Sequence, residues 1–374
     1  MTNQPNSVPQ LRAPFPYFGS KRKIASKVWD LIGHDVKVYV EPFAGSAAVL
    51  LQRPSIPEGV FFETINDVDS MVANFWRSIS KDPEAVAAYS SWPVVESELH
   101  SRHMWMLTQK DSLTERILGS VDYYDPVIAG YWVWGISLWI GGGFCSGKGP
   151  WAQENGRLVN LRDTEKKSGS GATIQKPKLS HAGGQFAGAS RKTPETNSRG
   201  PIAGRGLIPD YVSDILSDGV DILYPTIKEW LCLLGTRLSR VRVISGDWKR
   251  VVTPSVTYHC GKPVGILLDP PYKLSLRDSG LYASDAQKER CISSEVNKFC
   301  IDNGNNKDLR IVVCGLNGEH NNLEDLGWKK IVYRVNGGYA NQRKSAEKNN
   351  NKKIETIWYS SSCLDSPSSL SDLM

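Results

Sequence analysis

The chain has no run of apolar residues long enough to cross a lipid bilayer. Hydrophobic residues make up 40% of its 374 positions, but every apolar stretch falls short of the ~20 residues that a membrane-spanning helix needs. The first residues also lack the charged segment followed by an apolar segment that is typical of a secretory signal peptide. These absences predict a cytoplasmic protein without a membrane anchor.

Cysteine is scarce and scattered. None of the seven cysteines forms a C-x-x-C pair, and the six histidines are dispersed as well. An odd, dispersed set of cysteines indicates reduced thiols in a cytosol rather than disulfides or a zinc site. We therefore expect no metal centre.

A dinucleotide-binding G-x-G-x-x-G motif is also missing, although one strand-turn-helix pattern is suited to a ligand. The residues from Val38 to Leu51 predict a short strand, a tight turn at Ala44, Gly45 and Ser46, and the start of an apolar helix. Small side chains at such a turn let a ligand approach the backbone closely.

A second predicted strand, over residues 61–66, ends at Asp67. Asp67 follows Gly45 by 22 residues, which is the offset expected for a carboxylate that binds two ribose hydroxyls at the end of the next strand. Asp67 would alternatively cap the helix that begins after it. The two roles are compatible.

The most informative motif is Asp269-Pro270-Pro271-Tyr272, which follows the apolar run Val264–Leu268. That run predicts a buried parallel strand, and the prolines predict a rigid turn at its carboxyl end. Ligands of open α/β sheets bind at this edge. A carboxylate, carbonyl groups and one aromatic ring suit a flat ring with an exocyclic amine. The alternative is an ordinary strand-to-loop turn.

Two shorter motifs complete the set. A Gly-Ser turn separates Tyr17 from Lys21, which places a cation at the start of a helical pattern. The β-branched strand at residues 241–245 is followed by Gly246 and Asp247. Taken alone, the first motif is equally typical of a basic capped helix and the second of a surface turn.

In their order and spacing, these motifs resemble those of the Dam-like DNA adenine methyltransferases, which use S-adenosyl-L-methionine. The resemblance covers roughly residues 12–80 and 238–360. Two positions depart from the family pattern. Ser20 replaces the second glycine of the commoner Gly-Gly-Lys motif, and Trp248 stands where Phe is more frequent. The motifs are Tyr17-Phe18-Gly19-Ser20-Lys21, Glu41-Pro42-Phe43-Ala44-Gly45-Ser46, Asn66-Asp67, Gly246-Asp247-Trp248 and Asp269-Pro270-Pro271-Tyr272.

The resemblance implies an α/β fold, namely a Rossmann-like S-adenosylmethionine methyltransferase sheet with an inserted helical target-recognition domain. We accordingly expect a catalytic domain at residues 1–80 and 236–360. The inserted domain is expected at residues 81–235, with a basic low-complexity loop at 141–205, and a disordered tail at 361–374.

The resemblance also implies a reaction, the transfer of a methyl group to the N6 amine of a flipped-out adenine in double-stranded DNA. Asp269 and the Pro270 carbonyl would hold the amine, and Tyr272 would stack on the ring. The residues implied at the cofactor are Tyr17, Lys21, Phe43, Gly45, Asp67 and Asp247. A methylase of the same fold acting on RNA or a protein amide, and a DNA-binding homologue without catalysis, are the alternatives. A cognate restriction nuclease is left open.

The positive charge is concentrated in one stretch. Residues 141–205 hold 11 Lys and Arg against 4 Asp and Glu, whereas the rest of the chain holds 34 against 35. The stretch has no apolar period, so it cannot order itself by burying a core. A basic insert of this kind is attracted to a phosphate backbone. We expect it to bind DNA, the alternative being a solvated loop.

Overall fold

The computed structural model describes residues 11–17, 19–54, 59–139, 144–145, 151–154, 157–160, 225–271, 289–334 and 354–364. Most of the predicted basic loop at 141–205 and most of the tail at 361–374 lie outside these residues. Within the described residues, no helix is both long enough and apolar enough to span a membrane.

A seven-stranded sheet organises the protein, in the order β5-β2-β1-β6-β7-β9-β8. Its first five members run parallel, β9 pairs antiparallel with β7, and β8 pairs antiparallel with β9. A separate antiparallel pair, β3 (Trp151–Glu154) and β4 (Arg157–Asn160), lies inside the stretch predicted as a basic loop, so these residues form strands rather than loop. The sheet strands are β1 (Val38–Glu41), β2 (Phe62–Asp67), β5 (Val241–Ser245), β6 (Val264–Leu268), β7 (Leu309–Leu316), β8 (Lys329–Arg334) and β9 (Ile354–Tyr359).

The central strands are buried on both faces, as their continuous apolar sequences predict. In β6, Leu267 packs into the core on one face, while Val264, Ile266 and Leu268 pack into the core on the other. This alternation follows from the two-residue period of a strand. The strand predicted before Asp269 is therefore confirmed.

Eight α-helices cover the sheet and extend from it within the described residues. An Asp-Pro pair such as Asp82-Pro83 predicts a helix start, and a helix does begin there, because Pro83 opens it and the Asp82 carboxylate accepts a 3.1 Å hydrogen bond from the Ala85 N–H. The helices are α1 (Ala25–Ile32), α2 (Ala48–Leu51), α3 (Ser70–Lys81), α4 (Pro83–Ser90), α5 (Glu96–Gly119), α6 (Pro126–Leu138), α7 (Ile227–Leu238) and α8 (Glu289–Asn303).

The helices between β2 and β5 share a hydrophobic core with the sheet. Helix α3 packs against α6, and α7 packs against both α3 and α4. Helix α7 also runs through the boundary predicted between residues 235 and 236. The division into a catalytic and an inserted domain stays a prediction.

A buried ion network fixes α7 to β2. Glu63, which is 1% exposed, pairs with Arg53 at 2.9 Å and with Arg237 at 2.6 Å. Arg237 also donates to the Leu50 carbonyl at 3.0 Å. The network therefore connects α7 to both β2 and α2.

Candidate active site

The candidate site lies along the carboxyl edge of four neighbouring strands. Strands β5, β2, β1 and β6 are consecutive in the sheet, and each is followed directly by a residue or loop that the sequence singled out. The chain leaves β1 toward β2 on one side and returns to β6 on the other, so β1 and β6 form a switch point of the kind where α/β sheets bind ligands.

The loop after β1 is held by backbone and carboxylate hydrogen bonds. The Ala44 N–H donates to the Asn66 carbonyl at 2.9 Å, and the Gly45 N–H donates to Asp67 Oδ2 at 2.8 Å. Gly45 has φ of +46°, a conformation that favours glycine. The predicted tight turn at Gly45 is thus joined directly to the predicted acid at the end of β2.

Tyr17 lies against this turn. A Cβ atom on Gly45 would come within 2.3 Å of Tyr17 Cε1, so the ring occupies the space in which a side chain would stand. On the other side, the indole N–H of Trp76 donates to the Gly45 carbonyl at 2.8 Å. Ser20 and Ser46 are linked through their hydroxyls at 3.0 Å. The two predicted cofactor motifs are therefore in contact.

The backbone conformation at position 20 explains why serine can replace the glycine of the commoner Gly-Gly-Lys pattern. Its φ of −52° is accessible to any L-residue. Gly19 has φ of +78° and is the position that needs glycine.

The Asp67 carboxylate accepts two backbone hydrogen bonds, from Gly45 at Oδ2 and from Asp69 at Oδ1 at 2.9 Å. Burial raises its pKa to about 7, with the nearby Asp69 charge adding to the effect. The cap of α3 is Asp69, which accepts from the Met71 N–H at 2.9 Å. The alternative in which Asp67 caps that helix is therefore wrong.

Asn66 is a site residue whose side chain the sequence left without a role. Its amide donates to the Pro42 carbonyl at 2.9 Å and to the Gly246 carbonyl at 3.1 Å. The loops after β1 and β5 are thereby tied to β2. Its Oδ1 atom is buried and has no protein hydrogen bond within the described residues. An amide directly before the acid that ends β2 is the signal that could have identified it.

Asp247 is exposed and caps a 3₁₀ helix at Trp248–Val251, where its Oδ1 accepts from the Lys249 N–H at 2.9 Å. The ring of Trp248 lies 5.8 Å from that of Phe43 at a tilt of 34°. Phe43 is half-buried. Two aromatic rings, one from the β1 loop and one from the β5 loop, therefore lie side by side, and Trp248 directly follows Asp247 in sequence.

Asp269 lies at the end of β6, where it pairs with Lys21. Lys21 Nζ is 3.0 Å from Asp269 Oδ1 and 3.4 Å from Glu355 Oε2, and it donates to the Gly19 carbonyl at 2.9 Å. Glu355 in turn accepts a 2.6 Å hydrogen bond from the Tyr333 hydroxyl. Lys21 therefore contacts the predicted catalytic acid.

The electrostatics of this cluster follow from burial and from an excess of acids. Burial raises the pKa of Asp269 to about 6, Lys21 opposes that rise, and Glu355 and Glu319 add to it. Burial alone would lower the pKa of Lys21, but its acidic neighbours, with Asp269 first, hold it well above the ordinary value. Burial likewise raises the pKa of Glu41 to about 8.

The structure describes only part of the predicted amine-binding turn. Asp269 is partly buried and Pro270 is buried, whereas Tyr272 lies outside the described residues. Glu355 and Tyr333 were not predicted as site residues. Their signal is one acid in the mostly apolar strand β9 and one tyrosine in the apolar and basic strand β8.

Within the described parts of the chain, no group of three or more His, Cys, Asp or Glu side chains could hold a metal ion. The fold is a Rossmann-like methyltransferase sheet, with the candidate site residues at the carboxyl ends of its parallel strands. Residues 17–104 match the family model described as D12 class N6 adenine-specific DNA methyltransferase. None of the curated proteins compared with the chain matches it.

The family match confirms the resemblance to Dam-like adenine methyltransferases, and it supports DNA adenine methylation in general. It includes five of the six predicted cofactor residues, and it ends before Asp247 and Asp269.

Proposed function

We propose that the protein is a site-specific DNA methyltransferase that moves a methyl group from S-adenosyl-L-methionine to the N6 amine of an adenine in duplex DNA. One observation carries the proposal. The Asp269 carboxylate follows β6, and the turn at Gly45 and Asp67 follows the neighbouring strands β1 and β2. An amine-binding acid and a cofactor-binding loop thus share one edge of the sheet.

The side chains at this edge fit the cofactor by their chemistry. Asp67 offers carboxylate lone pairs beyond its two backbone hydrogen bonds, which suits a pair of ribose hydroxyls. The rings of Phe43 and Trp248 offer apolar faces, and Asp247 offers an exposed acceptor beside them. Tyr17 backs the Gly45 turn. Lys21 is assigned to the border between this pocket and Asp269.

The chemistry that this cofactor supplies is a methyl carbon bonded to a positively charged sulfur. The protein must place an amine nitrogen in line with that carbon and exclude water. Lys21 engages Asp269 Oδ1, so we assign Oδ2 and the Pro270 carbonyl to the two amine hydrogens. As the carbon–nitrogen bond forms and the carbon–sulfur bond breaks, the nitrogen gives up one proton. The Asp269 carboxylate is the adjacent acceptor.

A base inside a duplex is out of reach of such a site, so the adenine must be flipped out. By the resemblance, Tyr272 stacks on the extruded ring. The basic residues 141–205 are proposed to contact DNA phosphates. Replacing residues 168–200 with a short neutral linker removes five Lys and Arg residues. The salt dependence of duplex binding should then fall, by roughly 0.9 in the logarithmic slope for each phosphate that is no longer bound.

The test of the function is methyl transfer from labelled cofactor to unmethylated plasmid, RNA and total protein, with Asp269→Ala as the matched inactive variant. We expect label in adenine of duplex DNA. Asp269→Ala should lose at least about a hundredfold in rate while it still binds the cofactor. Transfer within about tenfold of wild type would contradict the mechanism. Label confined to RNA or protein would support the same fold acting on another amine, and no transfer by wild type would support a binding protein.

The dispersed cysteines favour a reducing compartment, so we propose a cytoplasmic enzyme. A cognate restriction nuclease stays a prediction from the resemblance alone.

A further inference from the structure

We propose that Glu355 and Tyr333 are positioning residues of the methyl-transfer site, because they hold Lys21 against the Asp269 carboxylate. The inference rests on the proposed function and deepens it. It gives the strands β8 and β9, at the far edge of the sheet, a part in the reaction.

The contacts form a continuous chain across four separate segments. Lys21 belongs to the short 3₁₀ helix before α1, and Asp269 follows β6. Glu355 and Tyr333 are direct partners in the register of β9 and β8. The Tyr333 hydroxyl donates to Glu355 Oε2 at 2.6 Å, and the same oxygen is 3.4 Å from Lys21 Nζ. Lys21 then reaches Asp269 Oδ1 at 3.0 Å.

The charged side chains in this series of contacts are buried enough to interact strongly with one another. The side chain of Lys21 is 6% exposed, that of Glu355 is 12% exposed and that of Asp269 is 19% exposed. Charged pairs in such surroundings are little screened by solvent. An ammonium that contacts two carboxylates and the Gly19 carbonyl has its position fixed from three sides.

Acidic groups outnumber Lys21 around Asp269. Its charge interacts with three carboxyl groups, those of Glu355 on β9, Glu319 after β7 and Glu41 on β1. It also interacts with the buried Cys314 thiol of β7. Without Lys21, these neighbours would favour the protonated form of Asp269. A protonated carboxyl offers a donor in place of one acceptor, which is the wrong pattern for an amine.

Glu355 therefore has two opposite effects on Asp269. Through space, its charge raises the pKa of Asp269. Through Lys21, its carboxylate aligns the cation that keeps Asp269 ionised and that fixes Oδ1. A packing role would predict neither effect on the reaction. The two effects can be separated because one changes the pH at which the rate falls and the other changes the maximal rate.

The experiment measures single-turnover methyl transfer to duplex DNA by the full-length protein, together with cofactor affinity by calorimetry. We expect Glu355→Gln to lower the maximal rate about tenfold and Tyr333→Phe to lower it by about threefold, since small displacements of reacting groups are costly. Cofactor affinity should stay within about twofold. The matched control is Glu324→Gln, which breaks an exposed 2.7 Å pair with Lys330 of the same strand β8 and should leave the rate unchanged.

The pH profile of the same rate is the readout that a structural role would not move. With the pKa of Asp269 at about 6, the wild-type rate should fall as pH drops through that value, because the carboxylate becomes protonated. In Lys21→Met the fall should begin at higher pH, since the cation that lowers this pKa is gone. In Glu355→Gln it should begin at lower pH, since a charge that raises this pKa is gone while Lys21 still pairs directly with Asp269 Oδ1. Lys21→Arg keeps the charge and should keep the wild-type midpoint.

Opposite shifts for the Lys21 and Glu355 variants, with cofactor affinity retained in the Glu355 and Tyr333 variants, support the inference. An active wild type combined with a Glu355→Gln variant of unchanged rate and unchanged profile overturns it. Reduced thermal stability with a normal rate per folded molecule also overturns it, in favour of a structural role. A wild type that methylates no DNA overturns the proposed function itself, so the two failures are distinguishable.

Discussion

The Gly45 N–H donates a 2.8 Å hydrogen bond to Oδ2 of Asp67. This bond joins the turn after β1 to the carboxylate that ends β2, while the other oxygen of that carboxylate accepts from the Asp69 N–H. The residue proposed to bind the cofactor ribose thus also shapes the loop against which the cofactor would lie. We therefore expect cofactor binding and local structure to be coupled at Asp67.

Replacing Asp67 should therefore weaken cofactor binding and loosen the β1 loop together. Hydrogen bonds to a charged group contribute about 1.5–3 kcal/mol each, so Asp67→Ala should raise the dissociation constant roughly tenfold to a hundredfold. Thermal stability should fall as well. Asp69→Asn is the control, because Asn caps a helix about as well as Asp and should leave the affinity unchanged. Calorimetry showing equal affinity for Asp67→Ala and wild type would remove Asp67 from the cofactor site.

Gly45→Ala should disturb the candidate site through a steric clash, because it removes no hydrogen-bonding group. The new Cβ would stand 2.3 Å from Tyr17 Cε1 at φ of +46°, and overpacking of this kind costs about 1–3 kcal/mol. Gly327→Ala is the matched control, since Gly327 has φ of +83° and a Cβ added there would meet no described atom within 4 Å. It carries the backbone strain without the clash.

The second arm of this experiment removes the clashing ring. Adding Tyr17→Ala to Gly45→Ala should recover part of the stability measured by denaturant unfolding, relative to the sum of the single changes. Strict additivity of the two changes would mean that Tyr17 and Gly45 do not interact.

The sequence was sufficient to predict that the candidate acids lie at one edge of the sheet. Apolar runs with β-branched residues predict strands, and each candidate acid follows such a run. Those signals are local, so β2 and β6 were predicted within one or two residues. The helix start at Pro83 was predicted for the same reason.

The partners of individual side chains could not be predicted from the sequence, because they depend on how distant segments pack together. Lys21 was predicted at the cofactor, yet its contact with Asp269 requires the 3₁₀ helix before α1 to face β6. The contact with Glu355 further requires the register of β8 and β9. The cap of α3 illustrates the same limit on a small scale, because Asp67 and Asp69 are both plausible caps by spacing and only the fold makes Asp69 the cap.

Glu41 should make the protein less stable as the pH rises. It is 4% exposed and accepts hydrogen bonds from the Leu50 N–H and the Tyr39 hydroxyl. Burial raises its pKa from 4.5 to about 8. Between those values the folded protein binds more protons than the unfolded chain, so this group's stabilising contribution is complete below pH 4.5 and is lost as pH rises toward 8.

Glu41→Gln removes that titration. The stability of the variant relative to wild type should increase from pH 5 to pH 8, by at most about 1.4 kcal/mol per pH unit, as measured by denaturant unfolding at each pH. Asp67 and Asp269, whose pKa values are also raised, titrate in both proteins and cancel in the difference. A constant difference across the range would show that Glu41 is ionised throughout.

The ion network at Glu63 should decide whether the helices after β2 and the sheet unfold as one unit. Glu63 is the shared partner of Arg53 and Arg237, and it lies four residues before Asp67, at the opposite end of β2 from the candidate site. Glu63→Gln leaves the buried Arg53 guanidinium and the partly buried Arg237 guanidinium without their carboxylate, which costs about 3–5 kcal/mol in comparable networks. Cofactor affinity of the folded fraction should not change.

The control for that cost is again the exposed Glu324–Lys330 pair, whose removal by Glu324→Gln should change the unfolding free energy by about 0–1 kcal/mol. In one cooperative unit, Glu63→Gln should lower the midpoint of a single transition, followed both by far-ultraviolet circular dichroism and by tryptophan fluorescence. Two transitions that separate in the variant would mean that α7 detaches before the sheet unfolds, because Arg237 is its charged link to β2. The helical region would then behave as the separate domain that the sequence predicts. A single shifted transition would instead place the helices and the sheet in one folding unit, as their common hydrophobic core indicates.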